Sequence, residues 1–260
     1  MALALAVKDV TMTFALPSGP LTALENIDLD VKAGEFCAVI GPSGCGKSTL
    51  LRLIADVLKP TRGAIAIGGE PPEIARRKHQ IGFVFQAPTL LPWRTVRDNI
   101  RLPRDVAGSS HQALSPDDLI KLVGLNGFER ARPAQLSGGM QQRVAIARAL
   151  LLKPGVLLMD EPFGALDEIT RQRMNAELLR IWVETQTTAV LVTHALAEAV
   201  FMADRVVVMS PRPGRIVSVV AVDLPRPRSP AIMKDPQFFR IVNLVRDALF
   251  GGDDAALGEP

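Results

Sequence analysis

The first chemistry in this chain is carried by the glycine-rich segment from Gly41 to Ser48, which reads GPSGCGKS. It matches G-x-x-x-x-G-K-[ST], a pattern whose glycines let consecutive backbone N–H groups converge on phosphate oxygens. Lys47 is placed to bridge the β- and γ-phosphates of a nucleotide, and the Ser48 hydroxyl to ligate Mg²⁺. A predicted strand precedes the segment and a helix opens at Lys47, so the helix N-terminus adds partial positive charge. The pattern predicts nucleotide binding, a property that kinases, GTPases and many ATPases share.

A second segment, Val156 to Glu161, is an apolar run that ends in two carboxylates. As a buried strand it would bring Asp160 beside the phosphate loop, where a carboxylate can hold Mg²⁺. Glu161, one residue later, points elsewhere and is placed to polarise an attacking water, which contributes roughly 10²–10⁴-fold in rate. An apolar strand ending in acids is common by itself. Together with the phosphate loop it predicts a site for nucleotide hydrolysis.

A third segment, Leu136 to Arg143, reads LSGGMQQR and lies at the start of a predicted helix. A Ser-Gly-Gly turn at a helix N-terminus offers an anion free N–H groups and the positive end of the helix dipole. Taken alone, Ser137 is more often a helix cap. Asp167 can likewise cap the helix that starts near Glu168, or lie at a dimer interface, and the sequence leaves both open.

The three segments together resemble the nucleotide-binding subunit of an ATP-binding cassette (ABC) transporter, whose signature reads LSGG followed by Q or M. The resemblance spans about residues 7–220. It implies a head-to-tail homodimer in which ATP lies between the phosphate loop of one subunit and Ser137, Gly138 and Gly139 of the other. On the phosphate-loop side the implied ATP contacts are Gly41, Pro42, Ser43, Gly44, Cys45, Gly46, Lys47, Ser48 and Thr49. The implied ligands of the cofactor Mg²⁺ are Ser48, Gln86 and Asp160.

The resemblance also implies roles for three residues outside these segments. Gln86, directly after a predicted strand, resembles the glutamine that contacts Mg²⁺ and water in this family. His194, one residue past another predicted strand, resembles the switch histidine that contacts the γ-phosphate. With Glu161 these two residues form the implied catalytic set. Phe14 resembles the aromatic residue that stacks on adenine, and a place in the core of a strand is its alternative.

Two stretches narrow the resemblance to the nitrate/sulfonate/taurine importer subfamily, namely LLPWRTV at Leu90–Val96 and SPRPGRI at Ser210–Ile216. The first lies where family members meet a coupling helix of the permease, so Leu91 and Trp93 would form the apolar part of that contact. For Trp93, a place in the core is the alternative. Asp56 departs from the family pattern, which usually has Gly there, and it is expected to have little effect because it lies outside the site.

An α/β fold must position these segments. Predicted strands alternate with helices, which favours a mainly parallel sheet with helices on both faces, and the early strands suggest an additional antiparallel β portion. The predicted strands are 7–14, 27–31, 36–40, 64–67, 81–85, 156–159, 189–193, 205–209 and 216–222. With the resemblance, these patterns predict a P-loop ABC ATPase domain over residues 1–222, with an antiparallel β subdomain and a helical subdomain at about 88–152. Residues 223–260 form a predicted tail with one helix, 236–250, which packs on its own domain or on a partner.

Composition limits the classes of partner. A formal net charge of +3 is too weak to argue for nucleic acid, although it permits a mildly basic face near anionic lipid. Cys37 and Cys45 fit no metal-ligand spacing and indicate reduced thiols. No apolar run approaches the roughly 18 residues that span a bilayer. A protein of this kind that works at a membrane therefore needs another chain to cross it.

The favoured function is the ATP-hydrolysing subunit of an importer for a small anion such as nitrate, a sulfonate or taurine. Its expected partners are a second copy, the transmembrane permease subunits and, indirectly, an extracytoplasmic solute-binding protein. Its expected place is the cytoplasmic face of the plasma (inner) membrane, as a peripheral subunit. A soluble ABC ATPase acting on DNA or ribosomes is the main alternative, and a P-loop kinase or simple nucleotide-binding module is a third.

Overall fold

Strands and helices alternate along most of the chain in the computed structural model, which describes residues 1–108 and 113–251. The strands are β1 (Leu5–Leu16), β2 (Gly19–Val31), β3 (Phe36–Ile40), β4 (Arg62–Ile67), β5 (Ile81–Val84), β6 (Val156–Asp160), β7 (Thr188–Val192), β8 (Arg205–Met209) and β9 (Ile216–Ala221). The α-helices are α1 (Lys47–Ile54), α2 (Pro72–Arg77), α3 (Val96–Ala107), α4 (Pro116–Leu122), α5 (Gly138–Leu150), α6 (Glu168–Thr185), α7 (Leu196–Met202) and α8 (Pro236–Phe250). Within the described ranges, no helix is long and apolar enough to cross a bilayer.

The strands form two sheets. A three-stranded antiparallel sheet has the order β2-β1-β4. A six-stranded sheet has the order β5-β6-β7-β3-β8-β9, in which all neighbouring pairs are parallel except β8 and β9. Strands β3 and β7 are buried along their whole length, as expected where helices cover both faces of a parallel sheet. The predicted fold class, a mainly parallel sheet with an antiparallel portion, is confirmed.

Strand β3 anchors the phosphate loop between two apolar clusters. Phe36 and Ile40 lie in the cluster that contains residues of α3 to α8, whereas Val39 lies with α1 and the three-stranded sheet. Cys37 belongs to the second cluster, and burial raises the pKa of its thiol to about 12. Because successive side chains of a strand point to opposite faces, β3 is fixed from both sides. The loop that follows it therefore starts from a rigid support.

Residues 88–152 are helical in their described part, and no strand occurs there. Helices α3, α4 and α5 each contribute a buried side chain to the same cluster, namely Ile100, Ile120 and Val144. These shared contacts make the three helices one packed unit. That unit joins the parallel sheet directly, since β5 precedes it and β6 follows it.

The C-terminal helix α8 packs on its own domain. Phe238, Ile241, Val242 and Val245 are buried in the same cluster as α7 and β8. The segment before α8 is tied down by Arg228, only 7% exposed, whose guanidinium donates to the carbonyls of Val200, Phe201, Ala203, Val222 and Leu224. Residues 252–260 of the predicted tail lie outside the described residues.

Several elements differ from the predicted ones. Strand β2 begins at Gly19 rather than residue 27, because its first half pairs with β1 in a hairpin. Helix α1 ends at Ile54, because the left-handed backbone of Asp56, with φ +60°, cannot continue a helix. Helix α2 was not predicted, since its six residues carry too little periodic signal.

Asp56 joins the end of α1 to α2. Its side chain is only 4% exposed, and its carboxylate accepts hydrogen bonds from Arg76 Nε, at 2.9 Å, and from Lys59. Burial favours a raised pKa, but the hydrogen bonds from these two cations outweigh it, so the pKa of Asp56 is lowered. An aspartate thus replaces the expected glycine by pairing its charge locally.

Candidate functional site

The strand order collects the predicted site residues at one edge of the parallel sheet. Four neighbouring strands, β5, β6, β7 and β3, run in the same direction. Gln86 follows β5, the acids Asp160 and Glu161 end β6, His194 follows β7, and the phosphate loop follows β3. Ligands in open α/β sheets bind outside the carboxyl ends of the strands. The fold therefore assembles four separate sequence signals into one site.

The phosphate loop depends on glycine at positions where other residues do not fit. Gly44 and Gly46 have φ of +77° and +106°, a region that glycine adopts without steric cost. A β-carbon built on Gly46 would lie 2.6 Å from Leu24 Cδ2 and 3.0 Å from the Ala23 carbonyl. Strand β2 thus presses directly against the start of α1. The close approach fixes the loop in the shape that its N–H groups need for phosphate.

Lys47 is held inside the phosphate loop. Lys47 is only 6% exposed. Its Nζ donates to the carbonyls of Gly41, at 2.7 Å, and Pro42, at 3.0 Å. These two carbonyls satisfy the ammonium group, which can exchange them for phosphate oxygens. The loop therefore presents one buried cation together with its backbone N–H groups.

Ser48 and Asp160 form a pair of hard oxygen donors. The Ser48 hydroxyl donates to Asp160 Oδ1 at 2.9 Å. Burial raises the pKa of Asp160, and the neighbouring Glu161 charge adds to that effect against the opposing Ser48 hydrogen bond. A divalent cation would compensate this half-buried carboxylate, and Mg²⁺ prefers oxygen ligands of this kind. Among the described residues no cluster of three His, Cys, Asp or Glu exists, so the phosphates of a nucleotide would have to complete such a site.

The Glu161 carboxylate lies beside His194. The Glu161 backbone has a left-handed φ of +45°, and its N–H donates to the Val192 carbonyl at 2.9 Å. Its Oε2 lies 3.4 Å from His194 Nδ1. Non-glycine residues in this conformation concentrate at functional sites, where surrounding structure holds them. The turn therefore separates the two acids of the sequence pair into two positions with different neighbours.

Gln86 lies beside Glu161 across the small residue Gly164. A β-carbon built on Gly164 would lie 3.5 Å from Glu161 Oε2 and 3.6 Å from Gln86 Nε2. Glycine here leaves space between the carboxylate and the amide. The structure thus brings Gln86, Glu161 and His194 together, as the resemblance implies, and their roles in catalysis stay a prediction.

Helix α5 holds the segment that carries Gln86, a contact that the sequence did not predict. Gln142, which is 2% exposed, donates from Nε2 to the Phe85 carbonyl at 3.1 Å. The Arg148 guanidinium donates to the carbonyls of Pro88 and Thr89, both at 2.8 Å. The sequence could have indicated the contact of Gln142, because Gln142 is a polar residue on the otherwise apolar face of α5. For Arg148 the sequence contains no comparable indication.

The signature turn begins the same helix. Ser137 is the N-cap of α5 and its hydroxyl accepts the Met140 N–H at 3.3 Å, so the cap interpretation is confirmed. Ser137 and Gly138 are exposed, whereas Gly139 is buried and packs 3.5 Å, measured from a built β-carbon, from Thr170 Cγ2 of α6. The turn lies at the start of α5, in the helical unit. Its exposed residues are accessible to a second subunit.

Asp167 caps α6, as the sequence allowed. Its carboxylate accepts the Thr170 N–H at 3.0 Å, and hydrogen bonds from Thr170 lower its pKa. Since Thr170 also contacts the signature turn, the two caps lie next to each other. The alternative role of Asp167 at a dimer interface stays a prediction.

Phe14 and Trp93 lie on two different surfaces. Phe14 is half-buried on β1, opposite Leu21 of β2, and packs against the cluster that contains α1. The Phe14 ring therefore packs partly in the core. Stacking of adenine on its exposed part stays a prediction. Trp93 is 68% exposed, so its core alternative was wrong. Buried Asn99 holds the segment before α3, exchanging hydrogen bonds with the Leu91 N–H and carbonyl at 2.7 and 3.1 Å.

Glu198 supports the turn that carries His194. It is 7% exposed, and its Oε2 accepts from the Thr193 hydroxyl, which itself accepts the Ala195 N–H at 3.0 Å. In the described part of the chain, the other oxygen, Oε1, and the nearby buried Asn175 Oδ1 have no hydrogen-bond partner. Burial raises the pKa of Glu198. Glu198 thus fixes Thr193 directly and Ala195 through the Thr193 hydroxyl, and His194 lies between these two residues.

The raised pKa of Glu198 predicts a pH-dependent stability. A carboxyl group whose pKa is higher in the folded state stabilises the fold below its ordinary pKa, and this contribution is lost as pH rises through the folded pKa. Glu198→Gln removes the ionisation. The melting temperature of the variant should therefore rise relative to that of the unaltered chain as the pH increases above 4.5, the ordinary pKa of a glutamate, by about 2–4 °C per kcal/mol. Thermal melts at several pH values measure this, with the half-exposed Glu73→Gln as control. A pH-independent difference would contradict the assignment.

Comparisons with known proteins agree with this geometry. The family model described as ABC transporter matches residues 24–164. The chain is 44% identical to the nitrate import ATP-binding protein of Synechococcus elongatus, over 93% of this chain and 89% of that protein. It is 44% identical to the aliphatic sulfonates import ATP-binding protein of Bacillus cereus, over 86% of this chain and 88% of that protein. A dimeric ATP-binding cassette bound to ADP and Pi in a post-hydrolysis state matches with TM-score 0.73 and 33% identity, over 85% of this chain and 99% of that chain.

Proposed function

The chain belongs to the ABC transporter family of ATPases, and from that premise we propose that it energises the import of a small anion. The observation that carries the proposal is the single edge where the phosphate loop, the Ser48–Asp160 pair and the Glu161–His194 pair meet. Similarity to nitrate and aliphatic sulfonate import proteins supports nitrate, a sulfonate or taurine as the class of cargo. Selectivity among them resides in other subunits.

Substrate binding follows from the phosphate loop. The backbone N–H groups and Lys47 bind the β- and γ-phosphates of ATP, and Phe14 stacks on the adenine. Ser48 and Asp160, with Gln86, would hold Mg²⁺, which neutralises phosphate charge when bound. A bound cation would compensate the charge of the half-buried Asp160, whose pKa burial raises.

Hydrolysis is assigned to the second acid. Glu161 accepts a hydrogen bond from a water and takes its proton as the oxygen attacks the γ-phosphorus; the bond to ADP breaks and phosphate forms. His194, 3.4 Å from Glu161, orients the carboxylate and contacts the γ-phosphate. Positioning and proton removal of this kind match the general pattern of phosphoryl transfer.

A second copy of the chain supplies the missing half of each site. Ser137 and Gly138 are exposed at the start of α5, where free N–H groups and the helix dipole favour an anion. In a head-to-tail homodimer they reach the γ-phosphate held by the partner's phosphate loop. The dimeric form of the related cassette supports this arrangement. Each dimer then contains two equivalent ATP sites.

A groove between the sheet and the helical unit is proposed as the permease contact. Its volume is about 470 Å³, and its lining includes Phe83, Phe85, Pro103, Val106 and Arg148. Phe85 and Val106, exposed by 46% and 78%, lie in this same lining, and exposed apolar side chains grouped in a groove mark an interaction surface. Arg148 lines the groove and donates to the carbonyls of Pro88 and Thr89, just after Gln86. A permease helix bound in the groove would therefore affect the position of Gln86. The subunit would then sit peripherally on the cytoplasmic face of the membrane, with a solute-binding protein opposite.

The test of this function is recovery of the partner. A tagged Glu161→Gln chain, loaded with ATP in mild detergent, should co-purify a permease with several membrane spans, identified by mass spectrometry. Transport of the cargo offered by the matching binding protein then identifies the anion. Recovery of ribosomes or DNA-repair proteins in place of a permease would favour the soluble ATPase instead.

A charge placed in the groove should separate docking from hydrolysis. Val106→Glu puts a carboxylate on an apolar contact surface, so we expect at least about tenfold less permease in the pull-down, about 1.4 kcal/mol. The matched control is Val57→Glu, since Val57 is 66% exposed and outside the groove lining. Both variants should keep the ATPase activity of the isolated chain. Equal permease recovery from the two would contradict docking in this groove.

A further inference from the structure

The loop between β8 and β9, Ser210–Arg215, is a closed structure that the proposed function leaves unexplained. Its two ends are joined by a hydrogen bond from the Ser210 N–H to the Arg215 carbonyl at 2.9 Å. The Arg215 N–H in turn donates to Ser210 Oγ at 3.0 Å. The loop therefore has a fixed shape, and its middle residues project from a stable base.

Strand β2 holds this loop from one side. The Gly214 N–H donates to the Ala23 carbonyl, and the Glu25 N–H donates to the Gly214 carbonyl, both at 3.0 Å. An ion pair between Arg215 and Glu25 reinforces the contact. The same part of β2 lies against Gly46 of the phosphate loop. The loop and the phosphate loop are thus supported by one strand.

The phosphate loop lies against the other side of Ser210–Arg215. A β-carbon built on Gly214 would lie 2.0 Å from the Cys45 carbonyl oxygen, so two backbones touch without room for a side chain. The Arg212 guanidinium donates to the Gly44 carbonyl from Nε, at 3.2 Å, and from Nη2, at 3.0 Å. Two donors on one acceptor fix the direction of that carbonyl.

The Gly44 carbonyl belongs to the same peptide unit as the Cys45 N–H. A trans peptide is planar, so its C=O and N–H point in opposite directions. The Cys45 N–H donates to the Pro42 carbonyl at 3.3 Å, and Lys47 Nζ bonds that same carbonyl. This N–H therefore points to the interior of the phosphate loop. Arg212 holds the opposite edge of the peptide from outside.

We propose that Arg212 is a positioning residue of the phosphate loop, which keeps the Cys45 N–H turned towards the nucleotide phosphates. The inference rests on the proposed binding of ATP by this loop. In the described part of the chain no carboxylate pairs with Arg212, so its charge also adds to the positive potential around the phosphates. It takes no part in the attack of water. Loss of the Arg212 guanidinium therefore weakens nucleotide binding and leaves kcat unchanged.

The experiment compares Arg212→Gln with Arg246→Gln in the full-length chain. Arg246 is the matched control, because it is on α8 and, among the described residues, hydrogen-bonds only to Asn243. Binding of ATP with Mg²⁺ is measured at equilibrium, and KM and kcat from the ATPase rate. Arg212→Gln should raise Kd and KM by about tenfold and change kcat by less than about twofold, whereas Arg246→Gln changes neither. Arg212→Lys, which keeps the charge but loses the paired donors, should lie between the two.

Gly214→Ala tests the same support by a different route. Its methyl group would meet the Cys45 carbonyl, so the substitution should raise KM in the same direction as Arg212→Gln. Unchanged binding in Arg212→Gln, or a fall in kcat at constant KM, would overturn the inference. Absence of ATP binding by the unaltered chain would instead overturn the proposed function. Arg212→Gln changes an exposed side chain, and a thermal melt checks that the variant remains folded.

Discussion

Glu161→Gln is expected to bind ATP as tightly as the unaltered chain and to hydrolyse it roughly 10²–10⁴-fold more slowly. The amide has the shape of the carboxylate but cannot take a proton from water. The left-handed backbone of Glu161 and its 3.4 Å approach to His194 hold this side chain beside the proposed attack position. The closed ATP-bound dimer should therefore accumulate. Single-turnover ATPase assays and gel filtration with ATP measure the two effects.

Glu168→Gln is the matched control for this variant. Glu168 lies in the first turn of α6, is exposed and pairs with Arg171 outside the strand ends. It should keep both turnover and the ATP-dependent change of size. If Glu161→Gln hydrolysed ATP at the unaltered rate, Glu161 would not be the base.

Two inactive variants should restore activity to each other when they share a dimer. Lys47→Ala removes the buried cation of the phosphate loop, and Ser137→Arg blocks the signature turn. Each is expected to be silent as a homodimer. In a mixed dimer one site combines an intact phosphate loop with an intact turn, because the two halves come from different subunits. Mixed dimers isolated with two tags should show about half of the unaltered ATPase activity, if the sites work independently.

The control places both substitutions on one chain and pairs it with an unaltered chain. Such a dimer has the same four components but no complete site, so it should be silent. If the two mixed dimers had equal activity, the head-to-tail arrangement would be wrong. Binding of ATP to Ser137→Arg alone, measured beforehand, separates a blocked turn from a lost fold, since Ser137 is also a helix cap.

Local patterns predicted most of the fold. The predicted first residues are confirmed for β3, α5, α6 and α8. The signals for these starts, namely capping residues and apolar spacing, are carried by residues close together in the sequence. The phosphate loop was predicted in detail, since its glycines meet local backbone needs. The fold class followed from the alternation of strands and helices, and from the resemblance.

What the sequence did not predict depends on contacts between distant segments. The strand order that brings Gln86, Asp160 and His194 to one edge comes from pairing of strands far apart in the chain. The left-handed turn of Glu161 has no residue signature. Arg148 and Arg212 looked like ordinary surface cations until the fold set a backbone carbonyl in front of each. A hydrogen bond to a remote carbonyl leaves no spacing that sequence reading can detect.

Helix α5 contributes to two regions that are proposed to bind different ligands. Its first turn faces the nucleotide of the second subunit in the proposed dimer, and Gln142 and Arg148 further along hold the wall of the proposed permease groove. If α5 moves as one body when either site is filled, the binding free energies of the two sites are coupled, and such coupling is reciprocal. By whatever factor nucleotide changes the affinity for the permease, the permease changes the affinity for nucleotide. In the proposed complex, binding of the permease would therefore change the affinity of the subunit for ATP.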